Sequence, residues 1–103
     1  MQIIKKLSEQ IEEELDGAEE YIEDALKYRE KHPELARTFY EISVQEMNHV
    51  NMLHAEAAKM IAAYRNEHGE PPAAMQAVYD YMHERHVSHA GEIKMMQAQY
   101  REV

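Results

Sequence analysis

The residues of this chain that could do chemistry are a glutamate and a histidine three positions apart, together with a second glutamate nearer the N-terminus. Glu46 and His49 form an E-x-x-H motif, and a spacing of three places both side chains on one face of a helix. A carboxylate and an imidazole on one face can bind the same metal ion. Glu14 is the third candidate ligand, because it interrupts an otherwise apolar helical stripe.

Three long helices are predicted to position these residues. The chain has only three Pro, and they fall in two places: Pro33 separates the first periodic segment from the second, and the segment 69–72 separates the second from the third. Because the connections are short, neighbouring helices should run antiparallel. The predicted helices are residues 2–31, 33–68 and 72–101.

These helices should bring the three candidate ligands to one level. If the first two helices fold back near His32, Glu14 lies opposite position 50, next to His49 and about one turn from Glu46. Ionised carboxylates in an apolar stripe are costly without a compensating charge. Neither stripe has a Lys or Arg near that level, which leaves protonation or a bound metal ion. Carboxylates and imidazole without thiolate suit iron or manganese, with zinc as a competitor.

Composition excludes several other kinds of site. The 103 residues fit a single domain, predicted as 1–103. With 11 basic and 20 acidic residues the net charge is −9, which disfavours nucleic-acid binding. The chain has no cysteine, so disulfides, iron–sulfur clusters and thiol catalysis are excluded. No apolar segment is long enough for a membrane span or a signal peptide, so we expect no membrane partner and a cytoplasmic location.

The third helix carries histidines for which the sequence allows more than one role. His86 and His89 lie three residues apart on its apolar stripe, and they are candidates for additional or substitute metal ligands. Alternatively, carbonyl groups, carboxylates or water satisfy them as structural side chains. A zinc-stabilised bundle that uses these histidines is a further hypothesis. Tyr21, one heptad after Glu14, could supply an electron or a hydrogen bond near a bound metal.

Taken together, these motifs resemble a group of iron proteins. Segment 13–21, the Pro33-Glu34-Leu35 triplet and the motif at 46–49 are similar to the iron-site core of encapsulated ferritins. More broadly, they resemble rubrerythrin and other ferritin-like di-iron proteins. The resemblance covers about residues 9–55.

The resemblance implies a role for six residues. Glu14, Glu46 and His49 would be the iron ligands, and Tyr21 would lie close to them without ligating. Glu13 and Asp16 would be acids at the entrance to the site. The chain departs from the encapsulated ferritins at Glu20, where those proteins commonly carry Trp.

The chain carries only half of the ligands of a complete di-iron site. A ferritin-like four-helix bundle uses two Glu and two E-x-x-H motifs, whereas this chain supplies one of each. We therefore expect a homodimer, or a higher oligomer of dimers, with two iron ions in a site on the two-fold axis. The predicted fold class is all-α, with three long antiparallel helices whose ferritin-like metal bundle is completed by homodimerisation.

The predicted function is the binding of Fe(II) and its oxidation by dioxygen, which would make the protein a ferroxidase. Manganese or zinc could take the place of iron in the same ligands. The alternative is a non-enzymatic helical oligomerisation or interaction module, in which the same polar residues form a buried cluster that specifies pairing.

Overall fold

Three helices account for almost all of the chain, as the Pro and Gly positions predict. The computed structural model describes residues 1–102, and Val103 of the predicted domain lies outside the described residues. No strand occurs in residues 1–102. The helices are α1 (Gln2–Tyr28), α2 (Pro33–His68) and α3 (Ala73–Arg101).

The predicted bounds of α2 are confirmed, whereas α1 ends three residues earlier than predicted. The residue before a proline is disfavoured in the helical region, and His32 accordingly has φ −137° and ψ 68°. Residues 29–31 therefore form a turn, in which the His32 amide donates to the Tyr28 carbonyl at 2.9 Å. At the other connection Pro72 is the extended residue that precedes α3, so α3 begins one residue later than predicted.

The helices run up, down and up along a bundle of 55 × 18 × 18 Å. Two contacts show that α3 is parallel to α1. At one end the Met1 ammonium group donates to the Tyr79 hydroxyl at 2.9 Å. At the other end the Arg29 guanidinium donates to the Gln99 carbonyl at 3.0 Å. Both α1 and α3 are therefore antiparallel to α2.

One buried polar contact joins all three helices. The Ser43 hydroxyl of α2 donates to the Ala18 carbonyl of α1 at 2.7 Å and accepts a hydrogen bond from the Gln97 amide of α3 at 3.0 Å. Apolar side chains surround this contact and form the core. They are Ile11, Leu15, Ala18, Ile22, Ala25, Met47, Val50 and Ile93.

Burial is uneven along the bundle. Val50 is the last buried residue of α2 and Ile93 is the first buried residue of α3. We call the part of α2 and α3 between them, residues 51–92 with the connecting turn, the distal end. There α1 provides the buried side chains, which include Ile4 and Leu7. Within residues 1–102, no helix contains an apolar stretch of the length needed to span a bilayer.

Candidate metal centre

Glu14, Glu46 and His49 come together in the structure as their sequence positions predict. Each residue offers one ligand atom, and these three atoms all lie within 4.8 Å of one another. Within the group, His49 Nδ1 lies 3.4 Å from Glu14 Oε2. Two carboxylates and one imidazole are therefore gathered from α1 and α2 in an arrangement that could hold a metal ion.

The group is more exposed than an apolar stripe predicts. The His49 side chain is 53% exposed and the Glu14 side chain 29%. The buried side chains of α2 at this level are Ser43, Met47 and Val50. Each lies one position after a member of the predicted apolar stripe, in which Glu46 and His49 follow Ile42. One position is a rotation of about 100° around the helix axis. Glu46 and His49 consequently lie at the edge of the α1–α2 contact, where water or a second protein chain can reach them.

The wall behind the group is formed by the backbone of α1. A side-chain carbon at Gly17 would lie 3.6 Å from the Glu46 carboxylate, which is ordinary van der Waals contact. Glu46 therefore lies close to the α1 backbone at Gly17, with room for a side-chain carbon at that position. Further along the helices, the Tyr21 and Phe39 rings pack with centroids 6.0 Å apart. Tyr21 follows Glu14 by about two helical turns.

Basic residues do not neutralise this group. Among residues 1–102, the ion pairs formed by Lys and Arg side chains use other acids. Those acids are Glu12, Glu41, Glu56 and Glu70. The partner of Glu14 is His49, a side chain that is charged only when protonated. Negative charge at the group is therefore available to a cation.

A second group lies on another side of α1. Asp16, Glu19 and His89 offer ligand atoms that also lie within 4.8 Å of one another, and His89 Nε2 contacts Glu19 Oε2. Asp16 is two residues from Glu14, so the two side chains leave α1 about 200° apart. This group contains His89, one of the two predicted helix 3 ligands, and it could also hold a metal ion.

The structure separates His86 from His89. Among residues 1–102, His86 belongs to neither group of three ligands. It lines a cavity between the three helices together with His54 and His83. Burial lowers the pKa of His86, and the Glu12 carboxylate opposes this shift. His86 and His89 therefore face different surroundings, although they are only three residues apart on one helix.

His54 and His83 form a pair that the sequence pattern did not predict. His54 Nε2 lies 3.2 Å from His83 Nδ1, and the ring centroids are 5.1 Å apart. The chain positions could have predicted this pair. When α2 and α3 fold back about the turn at 69–72, His54 lies opposite Val87, and Val87 is one helical turn from His83. Neither histidine interrupts a strong apolar stripe, which is why the pattern of stripes did not point to them.

Comparisons with known proteins do not assign the chain to a family. No family model matches it, and no curated protein or solved structure matches it either. The described residues establish a three-helix all-α chain with one Glu/Glu/His group and one Asp/Glu/His group that could hold metal ions. Inference about function starts from these side chains.

Proposed function

We propose that the protein binds Fe(II) at Glu14, Glu46 and His49 and oxidises it with dioxygen, in a ferritin-like di-iron site shared by two copies of the chain. The observation that carries the proposal is the convergence of three ligand atoms from two helices within 4.8 Å. The resemblance of residues 9–55 to ferritin-like proteins agrees with the same three ligands.

The donor set suits iron. Two carboxylates and one imidazole favour iron or manganese over the metals that prefer thiolates. Two carboxylate charges also stabilise Fe(III) more than Fe(II), because the attraction grows with the charge of the ion. Oxidation is therefore favoured by the ligands themselves. Zinc would compete for the same donors but cannot be oxidised.

The exposure of the group supports a shared site. Glu14 and His49 retain accessible side chains, so further ligands can come from outside the chain. Apolar side chains line the same edge of the α1–α2 pair: Leu35 is 46% exposed, and Phe39 and Ile42 are half-buried. A second copy of the chain could cover this edge with its own identical edge. Two α1–α2 hairpins would then form a four-helix bundle, and the ligands of one chain would lie beside those of the other.

In this proposal each side chain has a defined task. Glu14 and Glu46 hold the cations and balance their charge, and His49 contributes a neutral nitrogen donor. Fe(II) is the substrate: each of two ions would lose one electron, and one dioxygen would take up both electrons and two protons to become hydrogen peroxide. Tyr21, packed against Phe39, lies along the same edge, where a phenol hydroxyl can donate a hydrogen bond or an electron.

Iron oxidation by purified protein tests the proposal. We expect metal-free protein given Fe(II) in air to develop near-UV absorbance at about one iron per chain, and Glu46→Ala to abolish this signal. Glu41→Gln is the matched control, because Glu41 is an exposed acid on the same helix. Equal rates in wild type and Glu46→Ala, or no iron bound by wild type, would contradict the proposal and favour the interaction module.

A further inference from the structure

We propose a second, nitrogen-rich metal site at the distal end of the bundle, where His54 of α2 and His83 and His86 of α3 bind a late first-row divalent ion such as Zn²⁺. This site is separate from the proposed iron site, since it shares no ligand with it. It uses different donor chemistry and would serve a structural purpose.

The separation of two imidazole nitrogens carries this proposal. His54 Nε2 and His83 Nδ1 are 3.2 Å apart. Two nitrogens bound to one tetrahedral Zn²⁺ ion at about 2.0–2.1 Å lie roughly 3.3–3.4 Å apart. The two side chains come from different helices, so the arrangement depends on the fold and not on local sequence. In the metal-free chain the two rings share a hydrogen bond. Loss of its proton on metal binding would free both nitrogens to contact one ion at nearly the same separation.

A third imidazole is available in the same place. His86 follows His83 by three residues on α3, a spacing that puts both on one helical face. The three histidines line one cavity of about 130 Å³. His54 and His83 form the closest pair, and rotation of the His86 side chain would complete a three-histidine set with a position left for water.

The donors predict which metal the site selects. Neutral imidazoles suit zinc, copper and nickel, whereas magnesium, calcium and manganese prefer oxygen ligands. The remaining lining is largely apolar and includes Ile4, Ile11 and Ile61. The distal site should therefore discriminate against Mn²⁺ far more strongly than the carboxylate-rich group at Glu14 and Glu46.

A metal ion here would join α2 to α3 where they have little else to hold them together. Neither helix has a buried side chain at the distal end. Polar contacts at the end of the bundle, such as that from Arg65 to Gln76 at 3.0 Å, are exposed, and exposed contacts stabilise weakly. An ion bound by both helices of the folded state would raise the stability of that state.

Zinc titration of the metal-free chain tests the site. The experiment is done in a Glu46→Ala background, so that the proposed iron site does not contribute, and Zn²⁺ affinity is measured by competition with a chromophoric chelator. We expect the double substitution His54→Gln and His83→Gln to weaken one zinc equivalent per chain by about 100-fold or more, and His86→Gln to weaken it by about tenfold. His68→Gln is the control, because His68 is an exposed histidine on the same helix as His54.

Two further measurements make the outcome decisive. Zn²⁺ should raise the melting temperature of the Glu46→Ala protein by more than that of the chain that also lacks His54 and His83, in which the Asp16, Glu19 and His89 group remains. Substituting Co²⁺ should give visible absorption bands of a nitrogen-rich tetrahedral site, lost with the same substitutions. Equal zinc affinity and an equal melting shift with and without His54 and His83 would overturn the proposal. Made in the wild-type chain, the same histidine substitutions should leave Fe(II) oxidation unchanged, so failure of one proposal is distinguishable from failure of the other.

Discussion

The Nδ1 atom of His49 lies 3.4 Å from the Oε2 atom of Glu14, although the two residues are 35 positions apart in the sequence. The contact crosses from α2 to α1 at the level where Glu14 and His49 lie opposite each other. Because His49 is more than half exposed, the pair itself adds little to stability. Its value lies in holding an imidazole and a carboxylate close enough to contact one ion.

Removing the Glu14 charge should affect the metal-bound protein and hardly affect the metal-free protein. In chelator, we expect Glu14→Gln to change the free energy of unfolding by less than about 1 kcal/mol, because exposed ion pairs contribute little. With Mn²⁺ at about 100 times its dissociation constant, wild type should gain about 2.7 kcal/mol, and the variant should lose most of that gain. Urea unfolding with and without Mn²⁺ measures both values, with Glu41→Gln as control. An equal gain in Glu14→Gln would exclude Glu14 as a ligand.

Charge placed on the apolar edge should impair pairing of two chains without unfolding either. Leu35 is 46% exposed on that edge, and burying it in a dimer would contribute on the order of 1.5 kcal/mol or more. We expect Leu35→Lys to raise the dimer dissociation constant by at least about tenfold, as measured by sedimentation velocity in the presence of Mn²⁺.

Met95→Lys is the matched control for this experiment. Met95 is 67% exposed on α3, away from the edge that carries Leu35. Its substitution should leave the association of chains unchanged. Equal dissociation constants for the two variants would show that the chains do not pair through the Leu35 edge.

Ser43 should be the most sensitive small polar residue in the core. Its hydroxyl contacts both the Ala18 carbonyl and the Gln97 amide, so Ser43→Ala removes the partner of the buried Gln97 amide and one of the two bonds accepted by the Ala18 carbonyl. We expect a loss of about 1–3 kcal/mol in the free energy of unfolding, measured by urea denaturation. Ser88→Ala, at an exposed position of α3, should be nearly neutral. If Ser43→Ala were equally neutral, the buried hydrogen bonds would not be what joins the three helices.

The free energy of unfolding should decrease at mildly acidic pH, because protonation of His86 is easier in the unfolded chain than in the folded one. Burial lowers the pKa of His86 in the folded chain, whereas in the unfolded chain the pKa of the same imidazole is about 6.5. Below that value the unfolded state binds more protons, so the free energy of unfolding decreases as pH falls, until the folded-state pKa is passed. The comparison of wild type with His86→Gln from about pH 7.5 to about pH 5, in chelator, isolates this contribution.

His86→Gln should have a shallower decline in stability than wild type. Burial lowers the pKa of His86, the Glu12 carboxylate opposes this shift, and the basic side chains of His83, Arg85 and His54 add to it. All of these neighbouring groups remain in the variant. Parallel pH curves for the two proteins would mean that His86 does not titrate differently in the folded and unfolded chains.

The sequence was sufficient to predict the convergence of Glu14, Glu46 and His49. The rise of a helix and the position of Pro33 determine which residues of α1 and α2 lie opposite each other, and both are local properties. The exposure of the group could not be predicted in the same way. It depends on how far α2 is rotated about its axis, and Ser43 fixes that rotation by contacts to both other helices.

Side chains whose partners lie on α3 were harder to predict. The surroundings of His89 depend on the side of α1 against which α3 packs, which places it beside Glu19. The sequence alone leaves that side undetermined, because short turns permit either arrangement of a third helix. The contact between His54 and His83 depends on the same choice. The pairing of two chains stays a prediction.

The uneven burial along the bundle has a consequence for how the protein opens. Backbone amides are protected from hydrogen exchange to the extent that opening them exposes buried surface. The last turns of α2 after Val50 and the first turns of α3 before Ile93 add no buried side chain of their own. These turns should therefore fray as one cooperative unit and exchange quickly, while amides around Leu15 and Ser43 exchange only when the whole chain unfolds.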